Sequence, residues 1–498
     1  MDELLKILDY WSPRDVKEKR YAKSPDLTEL KGDQPLAFEA LRNFMNDKEQ
    51  RMFTLEGYAG SGKSWLVNVF IEHCLDKRGM MKIAMAATTN KAYKQLVKMA
   101  EYRHTNLTYA TVHSLLSLKE VIKDDGTIEF EPDYKRPGDK KLEEFDLLVV
   151  DEVSMLNDKL FDYLLPYTEE SDTRKEPLKI IFVGDGAQIP PVRDAKEKKQ
   201  AKGLYLSIPL DKFERKGYNI GYFKMEQIIR QALDNPIIQL SVKIRENLDN
   251  RRYVLNGGTN MLEGRGIYFM DWNDSDSIYD LLEKYYCSKN FEESSDFIRV
   301  IAWTNNTVDS MNKEIRAMLF GENIPKIVAG DRLLADKPVI EDIWGREEII
   351  FTTNDEFTVK NVVNDYVLID DVSLKHYLAD VEFVNFDGYK EVKRIKILHE
   401  DSQDDFDRLS KERMLLAKGE PRGSKASKEC WRRYWDLQKY FAQVKYQYCG
   451  TVHKSQGSTY GVTIVMLRNL MRNPDFEERN HILYTAVTRS SELTIIIR

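Results

Sequence analysis

Gly57-Tyr58-Ala59-Gly60-Ser61-Gly62-Lys63-Ser64 has the residue types and spacing of a loop that wraps phosphate oxygens. Glycines let successive backbone N–H groups turn inward, and the N-terminus of a following helix adds partial positive charge. Lys63 would reach the β- and γ-phosphates of a nucleotide, and Ser64 a Mg2+ ion. A second constellation, Leu147-Leu148-Val149-Val150-Asp151-Glu152, is an apolar strand ending in two carboxylates. Asp151 suits a metal approached from the side opposite Ser64, and Glu152 suits a general base that takes a proton from attacking water. A third, Gly184-Asp185-Gly186-Ala187-Gln188-Ile189-Pro190-Pro191-Val192, follows the next apolar run. Gln188 there would sense a γ-phosphate; standing alone the segment is a Gly/Pro turn.

These residues need strands that end together and helices that begin there. Short apolar runs at Met52–Leu55, Ile83–Ala86, Leu147–Val150 and Ile180–Val183 read as buried parallel strands. Amphipathic segments at Trp65–Leu75 and Lys91–Glu101 lie between them. Repeated βα units of this kind build a doubly wound α/β domain with ligands at the carboxyl ends of its strands. The pattern returns at Phe297–Ala302, Val462–Met466 and Leu493–Ile497, so two α/β cores are expected, the second split by an insertion. Alternation on both sides of Asp125-Gly126 predicts a hairpin projecting from the first core. From about 331 to 445 the pattern is short strands (349–351, 366–369, 381–384) and then a charged helical stretch.

At 498 residues the chain has room for about three domains. With 42% hydrophobic and 32% charged residues it is globular rather than disordered or fibrous. No run approaches the ~18 apolar residues of a membrane span, and Met1–Lys6 has no secretory leader pattern. The four cysteines lack metal-ligand spacing and read as thiols of a reducing compartment. Net charge is −7, which by itself argues mildly against a nucleic-acid binder. The balance is uneven, however: residues 408–445 hold 11 Lys/Arg against 4 Asp/Glu. Trp431, Tyr434, Trp435, Tyr440 and Phe441 lie in that stretch, either as nucleic-acid contacts or, the preferred reading, as the packed face of a helix.

The three constellations resemble motifs I, II and III of superfamily-one helicases. Thr451-Val452-His453-Lys454-Ser455-Gln456-Gly457-Ser458 is similar to motif V, and Leu483-Tyr484-Thr485-Ala486-Val487-Thr488-Arg489 to motif VI. Leu30–Gln34 resembles the adenine-reading Q motif, Ala86–Lys91 motif Ia, Ala110–Leu115 motif Ib, Met225–Gln231 motif IV and Ala302–Asn305 the family's Thr-Asn element. The matches keep the family's order from residue 27 to 489, and the nearest branch is RecD/Dda, which moves 5′→3′ on single-stranded DNA. Ile228-Ile229-Arg230 lacks the Tyr before Arg of the 3′→5′ branch. Thr88 stands where many relatives have Pro, and Cys449 where many have Ala.

The resemblance implies two RecA-like doubly wound P-loop domains in tandem. The expected limits are 1–118 with 141–232 for the first core and 233–330 with 446–498 for the second. A β-hairpin pin is expected at 119–140 and a mostly β, SH3-like insertion with a helical tower at 331–445, the tower bracing the pin. ATP and Mg2+ would lie between the cores. Gln34 would hold adenine; Gly57, Gly60, Ser61, Gly62, Lys63, Ser64 and Gly457 would contact the nucleotide, with Ser64 and Asp151 on the metal. Arg230 and Arg489, which singly read as surface arginines, become arginine fingers beside Lys63, Asp151, Glu152 and Gln188. Thr88, Thr89, Lys91, Thr111, His113, Thr304, Asn305, Thr451, His453 and Lys454 would line a DNA track, although Ser and Thr in βα loops are commonly helix caps. Phe130 is the candidate pin residue, against the blander reading of a solvated hairpin.

The implied activity is an ATP-dependent DNA helicase acting as a monomer on single strands and duplex junctions, in the cytoplasm (the host's, for a phage source). A single-strand-binding protein or other replication and recombination proteins are candidate partners. An RNA helicase or translocase, a nucleotide-gated DNA-binding switch and a hexameric ring ATPase are the alternatives. The intact Lys63, Glu152, Arg230 and Arg489 disfavour the switch, and two cores in one chain disfavour the ring.

Overall fold

The computed structural model describes residues 2–13, 20–21, 25–100, 102–135, 138–170, 176–190, 218, 220–229, 234–343, 346–385 and 389–498. Arg230, Pro191 and Val192 lie outside them. The chain forms two compact units, one of Met1–Leu116, Lys140–Met311 and Cys449–Arg498, the other of Ser117–Asp139 and Asn312–Tyr448.

The first unit holds two six-stranded sheets. In the first sheet the strands lie in the order 220–225, 52–57, 179–184, 147–151, 83–87, 107–111, all parallel. Strands Met52–Gly57, Ile83–Ala87 and Lys179–Gly184 are buried at every residue, as unbroken apolar runs require when helices cover both faces. Helix Gln34–Asn46 shows how the covering works: Ala37, Phe38, Leu41, Phe44 and Met45 form one stripe packed with Leu66, Phe70 and Ile71 of helix Lys63–Lys77. Burying each large member of that stripe contributes about 1.5–3 kcal/mol. Beyond the end of the first helix, Lys179 Nζ donates to the carbonyls of Phe44, Asp47 and Gln50, neutralising acceptors a helix C-terminus leaves open.

The second sheet runs 260–262, 265–270, 490–497, 460–466, 298–302, 449–451, parallel except for the 260–262 edge. Two mainly parallel sheets are consistent with RecA-like domains in tandem. Residues 2–11, which the expected limits assign to the first core, pack instead on the second: Tyr285 Oη donates to the Leu4 carbonyl (2.5 Å), Gly264 N to Glu3 (3.0 Å), and the Trp11 ring lies tilted against Phe297 (centroids 4.8 Å apart). Only tertiary contact decides this, since two short helical turns carry no information about which core they meet.

The second unit holds an antiparallel five-stranded sheet, 390–398, 372–384, 356–369, 332–335, 444–446. Its central strands, Glu356–Ile369 and Val372–Val384, are far longer than the short apolar runs suggest. They join through Asp370-Asp371, both left-handed (φ 46° and 64°), a pair that suits a tight hairpin. Lys360, Asn361, Asn364, Asp365 and Ser373 face solvent and interrupt the apolar pattern that a reading of short runs relies on. The charged stretch forms two helices, Gln403–Gly419 and Lys425–Tyr440, broken around Pro421 and Gly423. The hairpin Leu118–Ile122/Ile128–Pro132 forms as expected around Gly126 (φ 84°). Trp431 packs against Gly126 so closely that an added Cβ would lie 2.4 Å from the indole, and Trp435 Nε1 donates to the Gly126 carbonyl (3.0 Å). Lys439 pairs with Glu120. The packed-face reading of these two tryptophans is therefore the one realised.

Candidate functional site

The phosphate loop sits between strand Met52–Gly57 and helix Lys63–Lys77, with Gly60 and Gly62 left-handed (φ 80° and 76°). Side chains are excluded as well as strained at Gly62: a Cβ there would meet Gln34 Nε2 at 2.5 Å and Ile229 at 2.7 Å. Lys63 Nζ folds back to donate to the carbonyls of Gly57 (2.7 Å) and Tyr58 (3.0 Å). Ser61 Oγ donates to Tyr58 O. Gln34, buried, accepts from Lys31 N (2.9 Å) and donates to Ser61 O (3.4 Å), so the expected adenine reader touches the loop itself.

Sheet order sets the rest. Strand 179–184 lies between the loop strand and the acid strand, so the segment from Asp185 to Gln188 leaves the sheet between Gly57 and Asp151. Burial, reinforced by the Glu152 carboxylate, pushes the Asp151 carboxyl up to about 6. Glu152 is a non-glycine residue in the left-handed region (φ 51°), the kind of outlier that persists where surrounding structure holds it. A hydroxyl at Ser64 and a half-buried carboxylate at Asp151 are hard oxygen donors that fit Mg2+. Gln188 is buried and its Oε1 has no hydrogen-bond partner among the described residues. A buried acceptor left so is costly unless a ligand or water completes it.

The segment after strand 179–184 is held by the second core. His481 Nδ1 bonds the carbonyls of Ala187 (2.9 Å) and Gln188 (3.1 Å), Gln456 Nε2 donates to Ile189 O (2.7 Å), and Ile189 N donates to Thr485 Oγ1 (3.2 Å). Gly457 (φ 68°) approaches Ala92 of the first core, where a Cβ would sit 3.1 Å away. Arg489 is buried, with its guanidinium bonded to Thr485 O, Ser458 O and Thr488 Oγ1, all in the second core.

The expected track residues are largely occupied by local structure. Thr89 caps helix Asn90–Met99, Thr111 caps Val112–Leu115, Thr304 accepts from Thr307 N at the start of helix Asn305–Phe320, and Thr451 accepts from Lys454 N. Lys91 Nζ donates to Tyr460 Oη (3.1 Å) in the second core. His113 is held below its ordinary pKa by burial, and His453 lies 3.7 Å from Glu478. Thr88 is buried, its hydroxyl without a partner among the described residues, Asn305 is exposed, and Phe130 is 44% exposed on the hairpin.

Sequence reasoning assigned no role to Glu56, Arg245, Tyr460, Asn469 or Tyr484. Asn469 accepts from Trp303 N and Thr304 N and donates to Thr304 and Thr307, ordering the Thr-Asn element. Tyr484 lies inside the segment similar to motif VI, a signal that marks it; nothing local marks Arg245 or Asn469.

Residues 41–194 match the AAA domain family model, and residues 446–497 that of the UvrD-like helicase C-terminal domain. Along nearly its full length the chain is similar to the ATP-dependent DNA helicase dda of Enterobacteria phage T4, 26% identical over 93% of this chain and 97% of that protein. It is also similar to the ATP-dependent DNA helicase Pif1 of a Psychrobacter species (26%, over 57% of this chain and 38% of that one). The ATP-dependent RecD2 DNA helicase of Deinococcus radiodurans is 31% identical over 38% of this chain and 21% of its own length. No helix of the described residues is long and apolar enough to cross a membrane.

Proposed function

We propose that this chain, a superfamily-one helicase of the RecD/Dda type, hydrolyses ATP to move 5′→3′ along single-stranded DNA and to separate duplex strands. The observation that carries the reading is the placement of the Asp185–Ile189 segment: it leaves the first sheet between the phosphate loop and the acid pair, and it is bonded to the second core by Gln456, His481 and Thr485. A change at the γ-phosphate therefore has a direct route to the other core.

In this reading Gln34 holds adenine, and the N–H groups of 57–64 with Lys63 hold the phosphates. Mg2+, when bound, supplies positive charge to the phosphates, and Ser64 and Asp151 are the residues that would hold it. Glu152 takes the proton of the attacking water, and Gln188 orients toward the γ-phosphate. Arg489 turns from its carbonyl partners, and with Arg230 stabilises charge building on the transferred group. Residues 25–118 with 141–232 act as the first core and 2–11 with 233–330 and 446–498 as the second, the hairpin 119–140 as the wedge with Phe130 at its face, and 331–445 as an SH3-like barrel and tower. The strand lies along Thr88, Thr89, Lys91, Thr111, His113, Thr304, Asn305, Thr451, His453 and Lys454, held through backbone and helix N-termini more than through free hydroxyls. The chain works as a monomer at single strands and duplex junctions.

The test is ATP-dependent unwinding of two tailed duplexes, one with a 5′ and one with a 3′ single strand, beside the Lys63→Ala variant. Separation from the 5′ tail only, lost in the variant, is expected. Strand-stimulated ATP hydrolysis without separation from either tail would reduce the protein to a translocase or switch.

A further inference from the structure

Two side chains of the second core converge on one carboxylate of the first. Arg245 ends helix Pro236–Arg245, whose Ile237, Leu240 and Ile244 pack with Leu483, Val487 and Ile496. Its guanidinium, 9% exposed, pairs with Asp185 and with Glu56 (2.9 Å) and lies 3.9 Å from the centre of the Tyr58 ring. From helix Phe476–Val487, Tyr484 Oη donates to the second Asp185 oxygen (2.6 Å) and accepts from Ala59 N (3.4 Å). Burial alone would raise the Asp185 carboxyl; the Arg245 and Lys63 cations and the Tyr484 hydroxyl outweigh it and hold the group ionised.

Each first-core partner belongs to the ATP machinery. Glu56 precedes the first loop glycine, Tyr58 and Ala59 are loop residues, and Asp185 opens the segment that carries Gln188. A guanidinium can bridge two carboxylates and stack on a ring at once, which an ammonium cannot do. The cluster thus ties loop, sensor segment and second core together at a single buried point, apart from the arginines expected on the γ-phosphate.

We infer that Arg245 and Tyr484 are positioning residues for ATP hydrolysis, holding Asp185 and the phosphate loop in register with the second core so that strand binding accelerates turnover. The inference rests on the helicase reading above. It is tested by steady-state ATP hydrolysis with and without a single-stranded oligonucleotide, and by thermal melting, for the unaltered chain and for Tyr484→Phe, Arg245→Lys and Arg245→Met. Tyr484→Phe should lower the strand-stimulated kcat about threefold to tenfold, with KM for ATP moving by less than about twofold. Arg245→Met should lower it by more than about tenfold, and Arg245→Lys should not restore it. An unchanged stimulation ratio in variants that melt like the parent overturns the inference. So does a rise in KM at constant kcat, which marks simple nucleotide holding, or full rescue by lysine. Should Arg245→Met fail to fold, Tyr484→Phe, which removes one oxygen from a buried ring, decides alone. A parent protein whose ATP hydrolysis ignores the oligonucleotide sinks the helicase reading instead.

Discussion

The nucleotide region and the expected strand track treat their polar side chains in opposite ways. Around the phosphate loop, Lys63 rests on the loop's own carbonyls, Gln188 keeps a buried oxygen without a hydrogen-bond partner among the described residues, and burial with the neighbouring Glu152 raises the Asp151 carboxyl above its ordinary range. On the track, Thr89, Thr111, Thr304 and Thr451 already accept hydrogen bonds that begin helices or turns. The first region is built to recognise a ligand with side chains. The second uses side chains to fix backbone, and in the proposed reading it would leave recognition to N–H groups, which suits a ligand gripped without regard to sequence.

Substitutions should divide along that line. Glu152→Gln removes the proposed base and should slow ATP hydrolysis by about 10²–10⁴-fold while leaving nucleotide binding intact, read by hydrolysis assays beside equilibrium binding of a fluorescent ATP analogue. Lys63→Ala should lower turnover by about 10²–10³-fold and weaken nucleotide binding as well; a variant that still unwinds would break the side-chain account of the first region. Gly126→Ala forces a left-handed conformation and pushes on Trp431, at roughly 1–3 kcal/mol of local strain. It should slow strand separation severalfold more than it slows hydrolysis, compared in the same reaction. Smallest of all, Thr89→Ala and Thr304→Ala should each lower stability to denaturant by about 1 kcal/mol, the loss of a helix cap, and change single-strand affinity by less than about threefold. A tenfold loss of affinity at unchanged stability would show the hydroxyls touching the strand directly and would erase the contrast.

What sequence alone determined is what short stretches of chain encode. The phosphate loop is one strand, one turn and one helix within residues 52–77, and its glycines are needed for backbone reasons that any environment would impose. Asp151 and Glu152 close an apolar run, and the Asp125-Gly126 turn makes its own hairpin. The order of such segments was enough to expect two α/β cores and a β insertion. Tertiary structure alone decided which distant residues meet. Glu56, Asp185, Arg245 and Tyr484 form one cluster although hundreds of residues separate the first from the last, and no periodicity links them. The same holds for Asn469 at Thr304, for residues 2–11 on the second core, and for Trp431 against Gly126. The long central strands of the insertion were legible only as short pieces, 366–369 and 381–384, because polar residues such as Lys360, Asn361, Asn364 and Asp365 interrupt the apolar pattern and most of the first strand beyond Val359 faces solvent. Backbone conformation and caps are set by neighbours in sequence, whereas ion clusters and docking faces are set by packing, which a linear chain does not display.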